Sequence, residues 1–180
     1  EMVEYAQNSF PDLGGERELV IFSGQEALIR AAEKEGYKVS YENADFLFDF
    51  RKSGLSYDLP EGFHFVDPFK CDLLKLAKCT WNGFNAEELG PFKNWNIPDS
   101  ETPWNPHKAY TGVVSSAVAP PPHATHEYNV IIADENEDYV CFSGMWWVPE
   151  NKLAYMEPLC TVPEYRRRGL AAAALTQHYR

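Results

Sequence analysis

The chain is poor in positive charge: 16 Lys and Arg stand against 27 Asp and Glu, for a formal net charge of −11. Nucleic-acid binding needs a basic patch, so a phosphate backbone is excluded as the expected partner. A cationic acceptor such as an amine suits this balance better, although net charge mainly governs solubility. Long apolar runs are missing too. The longest, residues 170–175, falls far short of the roughly 20 residues that span a bilayer, so no membrane partner is expected. No basic region followed by an apolar stretch opens the chain, and no signal peptide is expected. Cysteine is scarce: Cys71, Cys79, Cys141 and Cys160 form no Cys-x-x-Cys pair. Reduced thiols in a cytoplasmic protein are the expectation. His123 and His126 have a two-residue gap but no third ligand nearby, so no metal is expected.

What is present is ordinary globular material, with 180 residues, 44% of them hydrophobic and 14% aromatic. That length suits one domain or pieces of two. Residues 18–23 read as a short buried strand, set between Gly14-Gly15 and Gly24. Residues 25–35 read as a helix with Leu28, Ile29 and Ala32 on one face and Gly36 at its left-handed C-cap. Residues 45–50 alternate with period two, which predicts a half-buried strand with Phe46, Phe48 and Phe50 on one side.

A connector over residues 51–62, punctuated by Gly54, Pro60 and Gly62, leads to a second organisation. It begins with a strand at residues 63–66, followed by a helix that carries Leu73, Leu74, Ala77, Trp81 and Phe84 at helical spacing. Residues 90–126 are rich in Pro, Trp and Asn and read as a long loop with a short helix at 110–118. Trp81, Phe84, Trp95 and Trp104 either wall an acceptor pocket or, for Trp81 and Phe84 by their spacing, pack as core. Strands at 129–133, 139–147 and 153–161 follow, joined by turns so short that the meander is antiparallel. Pro158 cannot donate to a ladder, so a bulge or a sheet edge is expected there. Residues 168–180 turn helical, led by Ala171–Ala174.

The chemistry concentrates between Thr161 and Ala171, in the order Thr161-Val162-Pro163-Glu164-Tyr165-Arg166-Arg167-Arg168-Gly169-Leu170-Ala171. A strand passes through a Pro-marked turn into a helix, so converging backbone amides and a helix N-terminus offer a cradle for a diphosphate. Gly169 and Ala171 keep side-chain bulk away from those amides. Three arginines at a helix N-terminus oppose the helix dipole, which an anionic ligand would explain better than a self-solvated helix start.

This stretch resembles the signature of the GNAT superfamily of N-acetyltransferases, Arg/Gln-x-x-Gly-x-Gly/Ala after a strand ending in Val-x-Pro or Thr-x-Pro. The resemblance covers roughly residues 60–180, from the family's first strand to its third helix. It implies an α/β (α+β) fold with a mixed, mostly antiparallel sheet flanked by helices, and acetyl-CoA as co-substrate. Arg166, Arg167, Arg168, Gly169, Leu170 and Ala171 would then hold the pyrophosphate, and Leu159, Cys160 and Thr161 would face the pantetheine arm. Glu157 is the candidate base for an ammonium acceptor, against the plain alternative of a carboxylate bonded to nearby backbone. Tyr155, of the same facing by strand alternation, lines the acceptor cleft or belongs to the core.

Residues 1–55 resemble a different part of the family, its C-terminal part: a helix tail at 1–8, then strand, helix and strand. Glu33-Lys34-Glu35-Gly36-Tyr37 is similar to the ending of the family's fourth helix. The expectation is a tandem protein in which residues 1–55 are the tail of one domain and 56–180 the first two thirds of the next. A bolder expectation has residues 1–50 completing the second sheet, permuted within the chain or swapped from a second copy in a homodimer. The family often carries a Tyr before that Glu-Lys as the general acid, where this chain has Ala32. The two functions implied are acetyl transfer to a small-molecule or peptide amine, and a catalytically weak acyl-CoA-binding module.

Overall fold

The computed structural model describes residues 18–49, 51–52, 54–98, 104–118 and 126–180. Contacts divide the chain into two units, residues 1–48 and 49–180. The predicted helix over 1–8, Gly14-Gly15, Phe50, Pro120-Pro121-Pro122 and His123 lie outside the described residues.

In the first unit, α1 (Glu26–Lys34) forms where its apolar stripe predicts it and buries Ala32. Gly36 takes φ +86, so Tyr37 can return its amide to the carbonyl of Ala32 at 3.0 Å. The strands predicted at 18–23 and 45–50 are not formed over their described residues. No described strand pairs with either segment, and unpaired extended chain has no ladder to hold it. Their apolar side chains stay out: Val20 is 86% exposed and Phe46 94%. Among the described residues the sheet consists of β1 to β4, and residues 18–22 contribute no strand to it, against the expectation that this segment completes it.

The second unit is an α+β arrangement built on a four-stranded antiparallel sheet. Its strands β1 (Phe63–Val66), β2 (Val130–Asp134), β3 (Tyr139–Val148) and β4 (Leu153–Thr161) lie in sequential order. The all-buried β2 and mostly buried β3 lie inside; β1 and β4 are its edges. One face is covered by α2 (Leu73–Gly83), whose start is fixed by Asp72 accepting from the amides of Leu74 and Lys75. Leu76, Cys79 and Gly83 recur at helical spacing, and the first two pack against Ile131, Phe142 and Cys160. Each large aliphatic side chain fully buried there contributes about 1.5–3 kcal/mol.

Residues 77 and 81 point sideways along α2 toward α3 (Pro106–Val118), closing a second cluster with Phe92 and Ala109. Helix α3 starts four residues before the predicted 110. The missed signal was Asn105-Pro106, in which Asn105 Oδ1 caps the amide of Lys108 at 2.9 Å and Pro occupies the first helical position. Trp81 is core, 2% exposed, with its indole nitrogen donating to Gly90 O at 3.1 Å. Phe84 is 54% exposed, which corrects its reading as core: α2 has ended by that residue.

The other face of the sheet carries α4 (Leu170–Tyr179), with Leu170 and Ala174 packed on Val130, Ile132 and Cys141. Part of the predicted connector runs beside α4. The amide of Tyr57 donates to Thr176 Oγ1 at 3.1 Å.

Candidate functional site

The N-terminus of α4 lies two residues later than predicted because its approach is left-handed. Arg167 has φ +64, and Gly169, the N-cap, has φ +87. Neither belongs to a right-handed helix, so the turn stays open between a short 3-10 segment, Pro163–Tyr165, and Leu170. No side chain caps this terminus. The amides of Arg167, Arg168, Gly169, Leu170 and Ala171 find no acceptor among the described residues. A stretch of orphan donors at an exposed helix start is where an anion is best stabilised.

The three arginines divide their work. Arg166 spends its guanidinium on protein acceptors: Thr161 O at 2.9 Å, Gly83 O at 2.9 Å and Asn85 Oδ1 at 2.8 Å. Arg168 reaches Glu164 O at 3.1 Å and lies over the Tyr165 ring, 5.1 Å from its centroid. The side chain of Arg167 is exposed and meets no acceptor among the described residues.

Two hydrogen bonds set the loop on the sheet. The amide of Val162 reaches Val140 O at 2.9 Å, and the Tyr165 hydroxyl reaches Asp134 Oδ2 at 2.7 Å. Burial works to raise the carboxyl of Asp134, but bonds from Tyr165 and from the amides of Asp138 and Asn136 hold it below its ordinary value. The same bond pushes the Tyr165 phenol up.

Strand β4 is broken where Pro158 predicted. Ser143 pairs with Leu159 and Met145 with Met156, so Gly144 stands opposite two residues, Glu157 and Pro158. That is a β-bulge on an edge strand, and the Glu157–Pro158 peptide is cis. Gly144 has to be glycine here, since a Cβ would sit 2.6 Å from Glu157 O. The extra residue resets the alternation. By register Leu159 shares its face with Ser143 and Thr161, while Tyr155, opposite Trp146, falls on the other face. Tyr155 is 48% exposed, its ring 5.9 Å from that of Trp146. Glu157 is exposed within the bulge.

Beyond the bulge the three residues predicted to face a ligand separate. Cys160 is buried, its sulfur packed so close to α2 that a Cβ on Gly83 would lie 2.8 Å from it. Its side chain is core. Leu159 and Thr161 are half-buried, with Thr161 Oγ1 3.4 Å from Cys141 Sγ. Because Val162 donates inward to β3, ladder alternation turns the amides of Thr161 and Leu159 outward, to the open edge. No family model matches the chain, and no curated protein matches it either.

Two of the buried thiols, Cys79 and Cys141, are held protonated in their present places. Burial pushes Cys141 up to about 11, and a hydrogen bond to Cys160 together with burial holds Cys79 well above its ordinary value. Among the described residues no three His, Cys, Asp or Glu side chains gather as a metal site. No described helix is long and apolar enough to cross a membrane.

Sequence reasoning missed His178. Its Nε2 lies 2.9 Å from Ser143 Oγ, joining the last turn of α4 to the middle of β3. Burial lowers the imidazole to about 4, so it is neutral at ordinary pH. The pair has no short-range spacing to betray it, being 35 residues apart. A cavity of about 200 Å³ bordered by His178, Phe65, Glu127 and Ile131 lies at this end of α4, the opposite end from the orphan amides.

Proposed function

We propose that the chain is a GNAT-type N-acetyltransferase that passes an acetyl group from acetyl-CoA to an amine. The observation that carries this reading is the uncapped start of α4, where the amides of Arg167 to Ala171 lack acceptors among the described residues, beyond the short turn that follows the edge strand β4. Those amides from Arg167 to Ala171 would hold the pyrophosphate, with Arg167 adding charge, while the outward amides of Leu159 and Thr161 would pair with the pantetheine arm as an added strand. The coenzyme would supply a thioester. An uncharged amine attacks its carbonyl carbon, the new C–N bond replaces the C–S bond, and coenzyme A leaves as a thiolate that takes a proton from water. Glu157, exposed in the bulge, takes the proton from the ammonium acceptor, directly or through water. Backbone amides of the strand stabilise the developing oxyanion.

The acceptor is a small-molecule or peptide amine, in keeping with the acidic chain, and the enzyme works in the cytoplasm with its cysteines reduced. Residues 1–55 are, in this reading, the tail of a preceding domain of the same family, and the part of the β4 edge before the bulge, which the coenzyme leaves free, is a surface for a second copy. A second reading, an acyl-CoA-binding module of weak activity, rests on the same uncapped amides and requires no acid or base.

Titration calorimetry with acetyl-CoA, followed by thiol release in the presence of an amine panel, separates these. Binding with turnover supports the transferase, and binding without turnover supports the module. Neither survives an absence of heat and of thermal stabilisation at millimolar coenzyme.

A further inference from the structure

Helix α2 ends against β4. Gly83 lacks the Cβ that would collide with Cys160, and the chain then turns through Asn85, a left-handed residue with φ 59. Asn tolerates that conformation better than most side chains. The turn delivers two acceptors to one place, the carbonyl of Gly83 and the side-chain oxygen of Asn85, and one Nη2 nitrogen of Arg166 meets both. The same guanidinium donates through Nε to Thr161 O, the last residue of β4. None of the three acceptors carries a formal charge. The cation instead faces the negative end of the α2 dipole.

We propose that Arg166 is a positioning residue and not a phosphate ligand: with Asn85 it clamps the entry of the 166–171 loop to the C-terminus of α2, and so sets the aim of the loop's amides. This rests on reading that loop as a coenzyme site. A phosphate ligand is chosen for its charge, whereas a clamp needs the planar fork, and lysine supplies the first without the second. The clamp also makes a residue outside the loop, Asn85, a determinant of coenzyme affinity. Through it the end of α2, whose other face carries Trp81, is tied to the anion site.

The test uses coenzyme A itself as the probe, titrated calorimetrically into the full chain at two salt concentrations. Asn85→Ala and Arg166→Lys are each expected to weaken binding about tenfold, the loss of about one charge-assisted hydrogen bond. The double variant is expected to bind no worse than Arg166→Lys alone, because the contact with Asn85 is already lost with the fork. Asn85→Asp keeps an oxygen acceptor and is expected to bind as the wild type does, which guards against a general folding defect. Arg167→Gln is expected to lose affinity together with salt sensitivity. Wild-type affinity in Asn85→Ala, or in Arg166→Lys while Arg166→Gln fails, overturns the clamp and leaves the coenzyme site standing. A wild-type chain that binds no coenzyme A overturns both.

Discussion

The hydroxyl of Tyr165, in the turn that follows β4, donates at 2.7 Å to Asp134, the last residue of β2. Asp134 also accepts at Oδ1 from the amides of Asn136 and Asp138, so one carboxylate holds the β2–β3 turn and the loop entry together. Removing the phenolic oxygen leaves two of those bonds in place and deletes the one that reaches the loop. Tyr165→Phe is expected to cost about 1.5–3 kcal/mol, as for a hydrogen bond to a charged group, measured by urea unfolding. An unchanged midpoint would show that the bond contributes nothing net.

The bulge depends on Gly144. Adding a methyl group places carbon 2.6 Å from a backbone oxygen of Glu157, and neither strand can give way without breaking the register on both sides. Gly144→Ala is expected to lose about 1–3 kcal/mol or more by overpacking. Gly24→Ala meets nothing within 4 Å and serves as the control. Equal melting temperatures for the two would refute the close approach.

Acid should weaken the fold through His178. Its imidazole titrates near 4 in the folded chain, against 6.5 for the free side chain, because burial disfavours the cation. Between those values the unfolded chain binds more protons than the folded one, so stability rises with pH. The contribution is complete above about pH 6.5 and is lost as pH falls toward 4, at most about 3 kcal/mol from this group. His178→Gln cannot titrate and is expected to flatten that part of the stability–pH profile. Identical profiles for the two proteins would exclude His178 as the source.

All four cysteines are free, but three are buried and only Cys71 is partly exposed. A maleimide reagent at pH 8 is therefore expected to label Cys71 in the native chain, and the other three after denaturation. Rapid native labelling of Cys160 would contradict its packing against Gly83.

The elements of the second unit were readable because each carries its own local signal. Strand β4 runs over the predicted residues 153–161 and β1 over 63–66, since both are bounded by turn residues. Asp72 and Asn105 are N-cap signals of the same local kind, and both were overlooked. The segments at 18–23 and 45–50 misled for the converse reason. Alternation states what a strand would bury, and cannot provide the neighbour it would bury against.

For the site the division is different. The order strand, Pro-marked turn, arginines, Gly169 and helix is local, so the amino-acid sequence alone determined where an anion cradle could form. It could not determine which arginines are taken up by protein acceptors. Arg166 meets Gly83 and Asn85, more than 80 residues away along the chain, and His178 meets Ser143 across the sheet. Such partners are chosen by the packing of α2 and α4 on opposite faces, since a side chain's hydrogen bonds depend on what the fold brings within 3 Å and not on its neighbours in sequence. The facing of Tyr155 against Leu159 was likewise decided only in the folded sheet. One extra residue in the bulge reverses every alternation count that crosses it.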